Sequence, residues 1–291
     1  MTPTEHMGFL REAFDRYLVR CDAGSLEPEL DYLPYDFEED VSRYQWRLLG
    51  GALVEDELRE LTNILNNWHD MLLRWHAWNE VLAEYAKDDA WDLRREFLEP
   101  LVHHCLLSPS AARDTFLFVA TNSFHQLRLG LDSTYKDFLV GDPTSPGKRP
   151  KHLTRPQKES RLADIVAPWS DGESFIAQLK TVDDDAYREL TFDYRNRASH
   201  AIAPRLALGH TQTITRFVEQ AKRLEKQEDG TYQDVLVPGQ MTVCYGYGGT
   251  PPLELEEARQ ENLEQYSRAR LTYESFRSLL LKEMRNLSKK K

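Results

Sequence analysis

A chain of 291 residues with 41% hydrophobic side chains, 13 Tyr, 12 Phe and 6 Trp carries enough apolar surface to bury a sizeable core, which excludes extensive disorder. Its net charge of -11 excludes a general nucleic-acid coat protein, because phosphate affinity rests on an excess of Lys and Arg. Cys21, Cys105 and Cys244 are too few and too scattered for a disulfide framework or a zinc site. No apolar run approaches the roughly 18 residues of a membrane span, and the N-terminus lacks the layout of a secretory signal, so the expectation is a cytoplasmic protein without metal or cofactor.

In chain order, a short helix over residues 5–20 precedes an irregular acidic segment, where residues 27–40 hold seven acids and no base. Leu58, Leu61, Leu65, Trp68, Leu72, Trp75, Trp78, Leu82 and Tyr85 then follow a three-four spacing, which predicts an amphipathic helix of about eight turns with a coiled-coil-like seam. A second helix is predicted over 89–107, kinked at Pro100. Ser108-Pro109-Ser110 reads as the cap of a third, over 110–131.

Four prolines and two glycines mark 141–160 as a surface loop. Within 147–161, Lys148, Arg149, Lys151, Arg155, Lys158 and Arg161 face only Glu159, so the segment could guide a polyanion or be a solvated strip. Helices are predicted at 157–167 and 171–181, then near 184–202 with Asp183-Asp184-Asp185 as its acidic start and Pro204 as its stop. Another is predicted over 209–227. Tyr232 to Tyr247 alternates apolar and polar residues around Pro238-Gly239, a hairpin signal, and helix returns from Leu253 to Asn286. The expected fold is all-α, a multi-helix bundle with one small β-hairpin near 232–247. Residues 1–87 form an N-terminal helical elaboration and 88–291 the bundle with hairpin and C-terminal helix, or the two make one continuous domain.

One run concentrates chemistry. Tyr194-Arg195-Asn196-Arg197-Ala198-Ser199-His200 places two permanent cations, an amide and a titratable imidazole within a few residues. A second arginine-to-histidine spacing, Arg205 to His210, has Leu-Ala-Leu-Gly between its ends and no polar residue after the arginine. At about 100° per residue, Arg195 and His200 do not share a face of a straight helix, whereas Asn196 and His200 do. The bland alternative pairs Arg195 and Arg197 with Asp193 and Glu189 and packs His200 inside. Asn122 and His125 interrupt an otherwise apolar helix. His69 and His76 flank the seam, and the adjacent His103 and His104 point to different faces.

The arginine, the polar residue after it and the histidine at Arg195-Asn196-x3-His200 resemble the signature of the HEPN-domain superfamily, all-helical proteins that include many metal-independent ribonucleases. The resemblance covers this motif. The succession of helices over 88–227 agrees with such a bundle. It implies catalytic roles for Arg195 and His200 with Asn196 in support, substrate contacts from Arg197, and assisting polar groups on an earlier helix, for which Asn122 and His125 are the candidates. It further implies RNA as substrate, a homodimer with the motif at its cleft, and a toxin or phage-defence setting with an antitoxin or defence-complex partner. A non-catalytic module that binds a protein through the seam helix and the acidic segment, or a HEPN-derived protein that binds RNA without cutting it, stands as the alternative.

Overall fold

The computed structural model describes residues 2–23 and 30–289 and divides the chain into two compact units, residues 1–190 with 256–291, and residues 191–255. Part of the acidic segment (24–29) and the last two lysines lie outside the described residues. The protein is mostly helical with one two-stranded antiparallel sheet. No helix among the described residues is long and apolar enough to cross a membrane.

The larger unit is built from α1 (Pro3–Ala23), α2 (Glu38–Ser42), α3 (Gly50–Leu82), α4 (Lys87–Leu93), α5 (Glu99–Leu131), α6 (Arg155–Val166), α7 (Gly172–Leu179), α8 (Asp185–Leu190) and α10 (Leu255–Met284). The seam of α3 is its core. Leu58, Leu61, Leu65, Trp68, Leu72, Trp75 and Trp78 are all buried, each such side chain contributing about 1.5–3 kcal/mol on leaving water. Trp78 lies between Tyr17 of α1 and Phe97, with ring centroids 4.7 and 4.6 Å away and nearly parallel planes. Phe97 reaches it from a π-helical turn, Arg94–Leu98, that joins α4 to α5 just before Pro100. The distortion expected at Pro100 therefore sits one turn earlier, in a single helical run from Lys87 to Leu131.

That run also passes straight through Pro109, where a helix start was expected. Proline has no N–H for the carbonyl four residues back, so Cys105 loses its helical partner. Asn262 of α10 replaces it: its Nδ2 donates to the Cys105 carbonyl at 2.7 Å and to the Tyr187 hydroxyl at 3.0 Å. Its Oδ1 accepts from Trp68 Nε1 at 2.8 Å. One fully buried amide thus closes the break and ties α3, α5, α8 and α10 together.

A second network fastens the basic segment. Arg113 of α5 donates to Glu159 of α6 at 2.7 and 3.1 Å and to the Val182 and Asp183 carbonyls at 2.9 and 3.1 Å. Arg155 bonds Asp114 at 3.0 Å, Ser110 Oγ at 2.8 Å and the buried Asp183 carboxylate, which Arg188 meets at 3.0 Å. Arg161 donates to the Val140 carbonyl at 3.1 Å. Of the six bases, Arg155 and Arg161 are thus structural, while Lys148, Arg149 and Lys151 are exposed. The loop expected over 141–160 ends at Leu153, since a capping box of Thr154 and Gln157 starts α6 at Arg155.

The smaller unit departs furthest from expectation. The helix expected over 184–202 is interrupted: α8 ends at Leu190, Phe192 and Asp193 both adopt left-handed backbone (φ 51° and 53°), and α9 spans only Tyr194–Ser199. The helix expected over 209–227 is instead β1, Ile214–Lys226, paired with β2, Tyr232–Tyr247. The hairpin therefore spans 214–247 and turns at 227–231, where Gly230 takes φ +86°. Pro238-Gly239 does not make the turn. It lies in the irregularity where the register breaks between Gln220 and Lys222, and Gln220 Nε2 donates to the Val237 carbonyl at 3.1 Å.

Candidate functional site

The smaller unit presents the arginine-histidine motif on α9. Tyr194 is buried and anchors the helix, while Arg195, Asn196 and His200 are exposed. Asp193, at the N-cap, accepts from Asn196 Nδ2 on both carboxylate oxygens at 2.8 and 2.9 Å. Asn196 Oδ1 in turn accepts from Arg195 Nη1 at 2.9 Å. This chain orients the amide and holds one nitrogen of the guanidinium. Arg197 turns the other way and donates to Thr250 Oγ1 at 2.6 Å, tying α9 to the segment that follows β2. That segment is itself fixed by a bridge between Thr211 and Thr250 and by bonds joining Leu253 to Arg205 and Ala207.

His200 is the C-cap of α9. Its backbone N–H closes the last turn on the Arg197 carbonyl at 3.1 Å, and Ala201 reverses the chain with φ 57°. Among the described residues no hydrogen bond joins Arg195 to His200, and neither Arg195 nor Arg197 forms an ion pair with a carboxylate. The bland arrangement, both arginines paired with acids and His200 packed inside, is therefore not the one found. The arrangement offers an exposed imidazole, a guanidinium held on one side by an amide, and a second cation at the base of the ribbon.

Asn122 and His125 belong to α5 of the larger unit. Asn122 Nδ2 donates to Glu57 Oε1, and burial pushes the Glu57 carboxyl up to about 7, a rise this bond partly opposes. Among the described residues, Glu57 Oε2 has no hydrogen-bond partner. His125 is buried and bonded at both nitrogens, to the Tyr135 hydroxyl at 2.8 Å and to Asp137 Oδ1 at 3.0 Å. It pins the loop after α5, whose Tyr135 ring also carries the Arg128 guanidinium 4.1 Å from its centroid. In this structure both candidate assisting side chains are engaged with protein groups.

His69 is buried between the Tyr32 and Tyr266 rings, and burial lowers its pKa. His104 meets Asn67 at 3.2 Å and is also lowered by burial. No group of three or more metal-ligating side chains occurs among the described residues. Between α6 and α7 lies an open hollow of about 550 Å³ lined by Val166, Pro168, Trp169, Ser170, Glu173 and Ile176, whose one titratable wall is Glu173.

Sequence reasoning missed Glu57, although its place among the core positions Val54, Leu58 and Leu61 marked it as facing inward. It also missed Asn262, which a lone amide on the apolar stripe of α10 could have signalled. Comparison with known proteins gives no matching family model, no matching curated protein and no matching solved structure.

Proposed function

We propose that the protein is a HEPN-like, metal-independent endoribonuclease whose reacting groups are Arg195 and His200, with Asn196 in support. The observation that carries this reading is the exposure of His200 at the end of the short helix that bears Arg195 and Arg197, neither of which pairs with a carboxylate among the described residues, in a chain of net charge -11. A ribose 2′-hydroxyl attacks the adjacent phosphorus while its proton passes to a base, and the bond from phosphorus to the 5′-oxygen breaks as that oxygen is protonated. Imidazole has the pKa to manage both transfers near neutrality. A guanidinium supplies fixed positive charge and two donors for the phosphorane oxygens. The products are a 2′,3′-cyclic phosphate and a 5′-hydroxyl, and DNA is inert for want of the 2′-hydroxyl.

Within this reading Asn196 fixes the Arg195 guanidinium, and Arg197 keeps free donors for a backbone phosphate beyond the one spent on Thr250. Bringing Arg195 and His200 to one phosphate requires a movement of the long arginine side chain or a second copy of the motif, as the resemblance implies. Wild-type protein incubated with total RNA in EDTA should leave cyclic-phosphate ends, and His200→Ala should abolish them with an unchanged circular dichroism spectrum. Salt-sensitive RNA binding without product would identify a binding protein instead.

A second reading, a protein-interaction module, draws on a different observation. The seam of α3 is core and offers no docking face, but the β-ribbon exposes a row of apolar side chains. Intact RNA with both proteins, together with a stable partner, would favour it.

A further inference from the structure

The ribbon has two unlike faces. Directly paired residues of antiparallel strands point to the same side, and alternate positions share it. Ile214 with Tyr247, Arg216 with Tyr245, Val218 with Val243 and Gln220 with Met241 therefore form one face. Its six apolar members are all exposed, from 45% at Val243 to 94% at Tyr247. The opposite face pairs Thr215 with Gly246, Phe217 with Cys244 and Glu219 with Thr242. There the Phe217 ring covers Gly246, coming within 3.1 Å of where a Cβ would stand, and Cys244 and Glu219 are half-buried. The first face is thus bare and almost wholly apolar, whereas the second, with Phe217 42% exposed between exposed threonines, is mostly polar.

We infer that the bare face is a self-association surface, on which a second copy of the same ribbon packs face to face about a two-fold axis. Area is the first argument. An aromatic side chain buries about 150–250 Å², so Tyr245 and Tyr247 with four aliphatic neighbours present on the order of 800 Å², which is what each partner buries in a standard-size interface. A two-stranded ribbon is marginal in water unless one face is covered, so the ribbon itself gains from the contact.

Charge selects the occupant. Residues 191–255 hold seven Lys and Arg and seven Asp and Glu, so the whole net charge of -11 lies on the remainder of the chain. A basic protein or peptide would be drawn to that acidic remainder rather than to a neutral ribbon. An acidic polymer would find on the bare face one cation, Arg216. Two copies meeting through this unit bring no net charge of either sign to the contact itself.

Shape agrees with charge. About an axis at the centre of the face, the ring of Tyr247 on one copy covers Met241 on the other, and the reverse, a thioether-on-aromatic contact made twice. The small Val218–Val243 pair falls opposite Arg216 and Tyr245, so the bulky pair of each copy meets the small pair of the other. The inference does not depend on the ribonuclease reading, and His200→Ala should keep the assembly.

Analytical ultracentrifugation of the full chain tests it. Wild type should sediment at twice its 33.9 kDa, and Val243→Glu and Tyr245→Glu should each halve the mass with unchanged circular dichroism. In a Cys21→Ser, Cys244→Ser background, Val218→Cys should be joined between two chains by a bismaleimide with an arm of about 10 Å, matching the spacing of face-packed sheets, whereas Thr215→Cys on the opposite face should not. A monomeric wild type at micromolar concentration, a Val243→Glu protein that keeps the doubled mass, or equal cross-linking from the two faces would each overturn the proposal. If the glutamate variants fail to fold, the cysteine pair decides alone.

Discussion

The two units handle polar and apolar groups in opposite ways. In the larger one, arginines are consumed internally: Arg113 by Glu159, Arg155 by Asp114 and Asp183, Arg268 by Asp184 and Glu264. Its aromatic rings stack on each other, and its central amide makes three bonds. Among the described residues the smaller unit contributes only Tyr194, Pro204, Ala221 and Leu253 to the buried apolar side chains, while its arginines on α9 form no ion pair with an acid and its ribbon shows bare tyrosines. Stability is therefore concentrated in one unit, and uncommitted chemistry in the other. Loss of function by substitution should follow the same divide: folding defects from the first, defects of reaction or assembly with intact folding from the second.

The largest effect expected is at Asn262. Asn262→Leu leaves the buried Cys105 carbonyl and Trp68 indole N–H without the amide that bonds them and takes one bond from the Tyr187 hydroxyl, and should cost about 3–5 kcal/mol in urea unfolding. A cost below 1 kcal/mol would mean that the network is not what holds the helices together.

Glu57 gives an intermediate effect with a pH signature. Its carboxyl titrates near 4.5 when unfolded and at about 7 when folded, so the folded state binds the proton more tightly. Below about pH 4.5 both states are protonated and no penalty applies. Stability then falls as pH rises, and the loss is complete above about 7. Glu57→Gln keeps an acceptor for Asn122 and removes the charge, so it should stabilise the protein by about 2–3 kcal/mol at pH 8 and change little at pH 4.5. Thermal melts across that range check the slope, and an unchanged slope in Glu57→Gln would remove Glu57 as its source.

The smallest effect is on the ribbon. Leu224 is 68% exposed, and Leu224→Thr should shift unfolding by no more than about 0.5 kcal/mol. A shift of several times that size would show that the ribbon carries stability after all, and would erase the contrast between the units.

The long helices were legible because their apolar residues recur at the helical period over many turns, as along Leu58 to Leu82. The ribbon was only half legible. Glu219-Gln220-Ala221-Lys222-Arg223-Leu224-Glu225-Lys226 is rich in good helix formers, and β1 exists because β2 pairs with it, a tertiary choice that local propensity opposes. Pro238-Gly239 is a sound turn signal, and the chain uses it for a bulge. The candidate site was legible as residue types at a spacing. Its geometry was not, because the break at Phe192-Asp193 has left-handed backbone at a phenylalanine, which no propensity announces. Nor could the sequence reveal that Pro109 is answered by Asn262, whose bond to Cys105 spans 157 positions.

That bond has a consequence for the order of events in the cell. A ribosome releases α5 with its open carbonyl, then the whole ribbon, and only afterwards the helix bearing Asn262. Through that interval the bundle is unfinished while both strands of the ribbon are already made and their apolar face is uncovered. Two neighbouring nascent chains on one message could therefore join by their ribbons before either bundle has sealed, and assembly would then precede the completion of the fold rather than follow it.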